Sequence, residues 1–137
     1  MKHLFLPYNL ALLAKEKGFD EEVLGWYNTD KDFILPLHKQ WITIDCEFPK
    51  RNSDFRKDGN SLIFIAAPLY QQITDWFREK RNIHISYDRN PIAKNKFMYF
   101  YFIKLGNGFD TTAKYSGDFN SVYEALDKAI EQAFTLI

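Results

Sequence analysis

An α+β fold is predicted for this chain: an antiparallel or mixed sheet with three helices, two of which (about 68–81 and 121–136) pack on one face of the sheet. Three observations lead there. Apolar residues alternate with polar ones at 42–48 and again at 83–88, the period of a half-buried strand. Apolar residues recur at helical spacing over 69–77 and 122–137. Between these segments the chain is punctuated by Pro, Gly and Asn at positions that turn or stop such elements.

Taken in order, the first helix should begin near Pro7, whose fixed φ suits a helix start, and stop at Gly18, which accepts a left-handed cap. Leu10, Leu13 and Ala14 share one of its faces, with Phe19 placed to fold back on it. Val23–Tyr27 and Phe33–Leu35 flank the turn-like NTDKD and read as a hairpin. From Trp41 to Phe48, Ile42, Ile44, Cys46 and Phe48 fall on one side of a strand. The stretch PKRNSDFRKDGN, 49–60, is polar and closed by Gly59-Asn60, so a flexible loop is expected there. Leu62–Ala67 is continuously apolar and ends at Pro68, which suits a central strand leading into a helix.

In that helix Leu69, Tyr70, Ile73, Trp76 and Phe77 form the face to be buried. Ile83, Ile85 and Tyr87 mark the next strand. The polar DRNPIAKN separates it from FMYFYFI, 97–103, which has large apolar side chains on both faces. Asn107-Gly108 is a hairpin signal, since both central positions of a type I′ turn need positive φ, and a partner strand is expected near Thr111–Tyr115. In the last helix Ser121 and Glu124 suit a capping box, and Val122, Ala125, Leu126, Ala129, Ile130, Ala133, Phe134 and Ile137 form one stripe.

At 137 residues the chain has the length of one globular domain, 1–137, able to bury a core without a disulfide or metal. A formal charge of zero removes any global attraction to nucleic acid or membrane. With Cys46 the only cysteine, no intramolecular disulfide forms and a reducing compartment, the cytoplasm, is expected. Pro7 and Asn9 interrupt the apolar start, so it does not read as a signal peptide, and no apolar run is long enough to span a membrane.

Catalytic patterns are weak. His84, Ser86 and Asp88 share a strand face, but alternate residues stand about 6.5–7 Å apart and the histidine lies at the end of the row, where a triad needs it in the middle. Cys46 is flanked by Asp45 and Glu47, which oppose a thiolate. His3, His38 and His84 are scattered, so no zinc is expected. Phosphate-binding glycine motifs do not occur, so no cofactor is expected.

One segment mixes charge with rings. Residues 76 to 104 hold seven basic side chains against two acidic ones. Arg78, Lys80, Arg81, Arg89, Lys94 and Lys96 are therefore the candidate nucleic-acid or ligand contacts, with cations for phosphates and rings for bases. The plainer account gives Trp76 and Phe77 to the helix core and Arg78–Arg81 to its solvated end. Aromatic residues make up 18% of the chain, and those at 97–103 point both ways. If helices cover only one side of the sheet, the other side is hidden by self-association, or else by the N-terminal helix or the Phe33 region.

LAKEKGFDEE at 13–22, APLYQQITDWFREK at 67–80 and YEALDKAIEQA at 123–133 resemble a family of short uncharacterised proteins from phage-derived and mobile elements of Bacteroidetes. The likeness spans most of the chain, and its motifs are helix ends and amphipathic stripes. It implies a cytoplasmic accessory role and brings no catalytic or ligand motif with it. The expectation is therefore a non-enzymatic accessory protein, acting through a protein interface and as a possible homodimer, with nucleic-acid binding through 76–104 as the alternative.

Overall fold

The computed structural model describes residues 1–35, 51–54, 64–94, 96–106 and 114–137. Within them the fold is α+β, with three α-helices and two three-stranded sheets, both antiparallel. The sequence predicts strands but one sheet. Alternation marks a strand without naming its neighbour, and here pairing follows two separate sets. The chain, expected from its length to be one domain, divides into two compact units, Met1–Leu69 and Tyr70–Ile137.

In the first unit, helix α1 (Tyr8–Glu16) packs on a sheet of β1 (Gly25–Tyr27), β2 (Phe33–Ile34) and β3 (Ile65–Ala67), in the order β2-β1-β3. Pro7 caps α1 and Gly18, at φ 89°, ends it. The buried face is Leu10, Ala11 and Ala14, with Ala11 in the place expected for Leu13. Phe19 returns to this face by donating its N–H to the Ala14 carbonyl at 2.9 Å, and it is buried. The β1–β2 hairpin turns on Asn28, whose Oδ1 accepts the N–H groups of Asp30 and Asp32 at 2.9 and 2.8 Å. A Cβ on Gly25 would lie 2.9 Å from the Phe33 ring and 3.2 Å from the Ile34 carbonyl oxygen. Glycine therefore permits the close approach of β2 that packs Phe33 on Phe5 and Tyr27.

The buried polar groups of this unit are met by side chains. Tyr27 donates its hydroxyl to the Leu6 carbonyl at 2.8 Å. Asn52 bridges two segments: its Nδ2 donates to the Phe19 carbonyl at 2.7 Å, and its Oδ1 accepts the Ala66 N–H at 3.0 Å. Ser53 donates its N–H to Asp20 at 2.7 Å, and Arg51 pairs with Glu22 at 3.4 Å. Thus residues 51–54, which fall inside the loop expected to be flexible at 49–60, include a short 3-10 turn (Asn52–Asp54) and are tied down at three positions. The rest of that loop, the strand expected at 41–48 with Cys46, His38, and the Asn107-Gly108 turn lie outside the described residues.

In the second unit, β4 (Ile83–Ala93), β5 (Lys96–Leu105) and β6 (Lys114–Phe119) form a sheet in that order. Helices α2 (Tyr70–Arg81) and α3 (Val122–Phe134) lie on one face of it, as predicted. The register pairs Ile83 with Leu105, Ile85 with Ile103 and Tyr87 with Tyr101, so these odd-numbered residues share the helix-covered face. Ile83, Tyr101 and Ile103 are buried there, where α2, with buried Ile73, Trp76 and Phe77, packs on β4, and α3, with its Ala125–Phe134 stripe, packs on β4 and β5. The rings of Phe77 and Phe134 stand 4.8 Å apart, and those of Trp76 and Phe77 5.2 Å apart.

Both helix ends follow from local chemistry. Asn82, in the left-handed region at φ 54°, ends α2 and accepts the Gly106 N–H at 3.0 Å, which fixes where β4 starts. Ser121 caps α3 by accepting the Glu124 N–H at 3.1 Å. In return the Glu124 carboxylate accepts the N–H of Asn120 at 3.0 Å, one residue earlier than an ideal capping box.

Candidate functional site

Element lengths decide what the second unit exposes. Helix α2 has 12 residues and spans about 18 Å, whereas the 11 residues of β4 span about 33 Å. Since α2 ends where β4 begins, the distal part of β4 runs past the helices. Every residue from Ser86 to Lys94 is exposed, and Tyr87 and Ile92 reach 51% and 58%. Ala93 pairs with Lys96, leaving only Lys94 and Asn95 to connect β4 to β5. The result is a two-stranded arm.

The polar DRNPIAKN, expected to separate two strands, is therefore mostly strand itself. Its polarity has a physical cause, because both faces of a projecting ribbon meet water and the in-out alternation disappears. Pro91 is tolerated because β4 is at the sheet edge, where one side of the strand needs no donor. The pairing shifts register between Pro91 and Ala93, so Ile92 has no residue opposite it on β5. Such a bulge re-aims its side chain.

The six candidate cations do not form one patch. Arg78, Lys80 and Arg81 sit in the last turn of α2, beside the start of β4, and Arg89 is six residues along the strand, about 20 Å away. Arg78 is held by Asp75 at 2.7 Å and by Glu79 at 3.6 Å. The Arg81 guanidinium lies 5.2 Å from the Trp76 ring centroid. On the arm, Arg89 lies over Phe97 at 4.1 Å, a stacked position that limits its rotamers. Lys94 and Lys96 are exposed at the tip and have no ion-pair partner among the described residues.

His84, Ser86 and Asp88 occupy the sheet face opposite the helices, in register with Lys104, Phe102 and Phe100. Their row spans about 13 Å, which leaves His84 and Asp88 out of mutual reach. Asp88 is instead engaged locally, accepting the Arg89 N–H at 2.8 Å. Met98, Phe100 and Phe102 on this face are half-buried. Among the described residues no three His, Cys, Asp or Glu side chains gather to hold a metal ion.

The one carboxyl group clearly perturbed among the described residues is structural. Asp127 on α3 accepts the Tyr70 hydroxyl at 2.5 Å, with the Tyr70 and Tyr123 rings 5.4 Å apart. Burial raises its pKa above the ordinary 3.8, and the Tyr70 hydrogen bond opposes that rise only in part. With the folded-state value above the unfolded one, the group favours folding below about pH 4, and this contribution is lost as pH rises through the folded pKa. Asp127→Asn keeps an acceptor for Tyr70 and removes the charge. It should raise the unfolding free energy at pH 7 by less than about 1 kcal/mol, since the group is half exposed, with a matching rise in the thermal midpoint, and the gain should vanish near pH 3.5. A gain unchanged by pH would contradict this account. Sequence pattern offered no sign of the pair, because Tyr70 and Asp127 are 57 residues apart.

No helix among the described residues is long and apolar enough to cross a membrane. No family model, no curated protein and no solved structure matches the chain.

Proposed function

We propose that this chain is a non-enzymatic accessory protein that works by binding a partner through the β4–β5 arm. The arm carries the reading: it is long and exposed, and its tip presents an apolar residue with two lysines that have no ion-pair partner among the described residues. Nothing in the fold needs Arg89, Ile92, Lys94 or Lys96 for its core, since all four are exposed. An accessory role of the kind encoded by phage-derived or mobile elements is supported by the resemblance of the helix segments, and a cytoplasmic one also by the single cysteine.

Self-association is the second reading, and Met98, Phe100 and Phe102 favour it as half-buried apolar residues on the face away from the helices. The distal edge of β4 is poorly suited to pairing with another copy, because Pro91 lacks a donor and the bulge breaks the ladder. A photo-crosslinking amino acid at position 92, introduced in the producing cell, separates these cases. Its control is the same group at Leu24, which is 62% exposed in the other unit. Adducts at 92 and none at 24 are expected. Absence of adducts at 92, or equal yields at both, would remove the arm from the reading, and an adduct of two copies of the chain would favour self-association.

A further inference from the structure

We infer that the arm is a DNA-binding ribbon that enters the major groove of B-form duplex DNA. The inference rests on the arm being the contact element and names its partner. Width is the first argument. Two strands about 4.8 Å apart, with their side chains, match a groove about 12 Å wide and exceed the minor groove at about 6 Å. The deep, narrow major groove of duplex RNA does not admit such a ribbon.

Charge is the second. From Ser86 to Lys96 the arm carries Arg89, Lys94 and Lys96 against Asp88 alone, a local excess of two positive charges (three minus one) on a chain with no net charge. Asp88 is occupied by the Arg89 N–H, while Lys94 and Lys96 are unpaired at the tip among the described residues. Arg89, stacked on Phe97, is pre-ordered for a phosphate or a guanine edge. The cations of α2 contribute less, since Arg78 is neutralised by Asp75 and Glu79 and the group lies at the other end of β4.

The tip supplies the third. Ile92 is apolar, 58% exposed and displaced by the bulge, which places an aliphatic side chain among cations where it can contact a thymine methyl. A peptide strand or second copy is the competing occupant, and Pro91 with the broken ladder disfavours it.

Fluorescence anisotropy with the full chain and a labelled duplex of about 20 base pairs tests the inference. Three phosphate contacts predict a slope of log affinity on log salt near −3, or roughly 40-fold weaker binding at 200 than at 50 mM. Lys94→Gln should lower that slope by about one. Reversing Arg89, Lys94 and Lys96 together to Glu should weaken binding at least about 30-fold with the thermal midpoint unchanged, whereas Arg78→Glu with Lys80→Glu should stay within about twofold. Ile92→Ser should weaken binding several-fold at unchanged slope. Absence of binding at 50 mM, a flat salt response, equal binding of an RNA duplex of the same sequence, no effect of Ile92→Ser, or equal losses from the α2 and arm reversals would each overturn it. A protein adduct at position 92 with no DNA binding overturns this inference and leaves the arm as the contact element. No adduct at 92 overturns both.

Discussion

Replacing Phe77 with alanine should lower the unfolding free energy of the second unit by about 3–5 kcal/mol, the cost of removing a buried ring and leaving a cavity. Phe77 has no exposed surface, and its ring meets both Trp76 and Phe134, so both helices lose a contact at once. Phe77→Leu should cost less, because the cavity is smaller. Urea denaturation followed by tryptophan fluorescence measures both, and a loss below about 1 kcal/mol for the alanine variant would show that the cluster is not the centre of this core.

Asn52→Ala should cost about 2–4 kcal/mol, a large loss for a polar residue in a short turn. It deletes two hydrogen bonds, leaves the N–H of the buried Ala66 without its acceptor, and frees the Phe19 carbonyl. Asn52→Asp should rescue little, since its second oxygen would face that carbonyl without a proton to donate. Amide exchange gives a specific readout: the Ala66 N–H should lose protection in both a selective and a measurable way, before the global unfolding transition. If Ala66 exchanges as slowly in the variant as in the parent chain, the bridge is not what holds residues 51–54 against β3.

The two units are stabilised differently. In the second, large rings and an alanine-rich helix stripe bury apolar surface, while the side-chain hydrogen bonds of the described residues, such as Ser121–Glu124 and Tyr70–Asp127, join exposed or part-buried groups. In the first, the strands are two or three residues long, and side-chain hydrogen bonds from Tyr27, Asn28 and Asn52 carry connections that longer ladders would make. Substitutions at polar positions should therefore matter more in the first unit than in the second.

Local chemistry determined the helices. Pro7 and Gly18 bound α1, Ser121 and Glu124 cap α3, and the stripes 69–77 and 122–137 define buried faces, because capping and periodicity act within a few residues of chain. It also marked β1, β2, β3 and β5, the start of β4 and a strand overlapping β6, and singled out the cations of 76–104. The tertiary structure decided the rest. Only the register shows that DRNPIAKN extends β4, since a ribbon with water on both sides has no alternation to read. Only the relative lengths of α2 and β4 divide six cations into a group at the helix end, where Arg78 pairs with Asp75, and a group on an arm, where Lys94 and Lys96 have no ion-pair partner among the described residues. Asn52 and Asp127 gained their roles from partners 14 to 57 residues away, and contacts over such separations depend on how whole elements pack and not on the residues beside them.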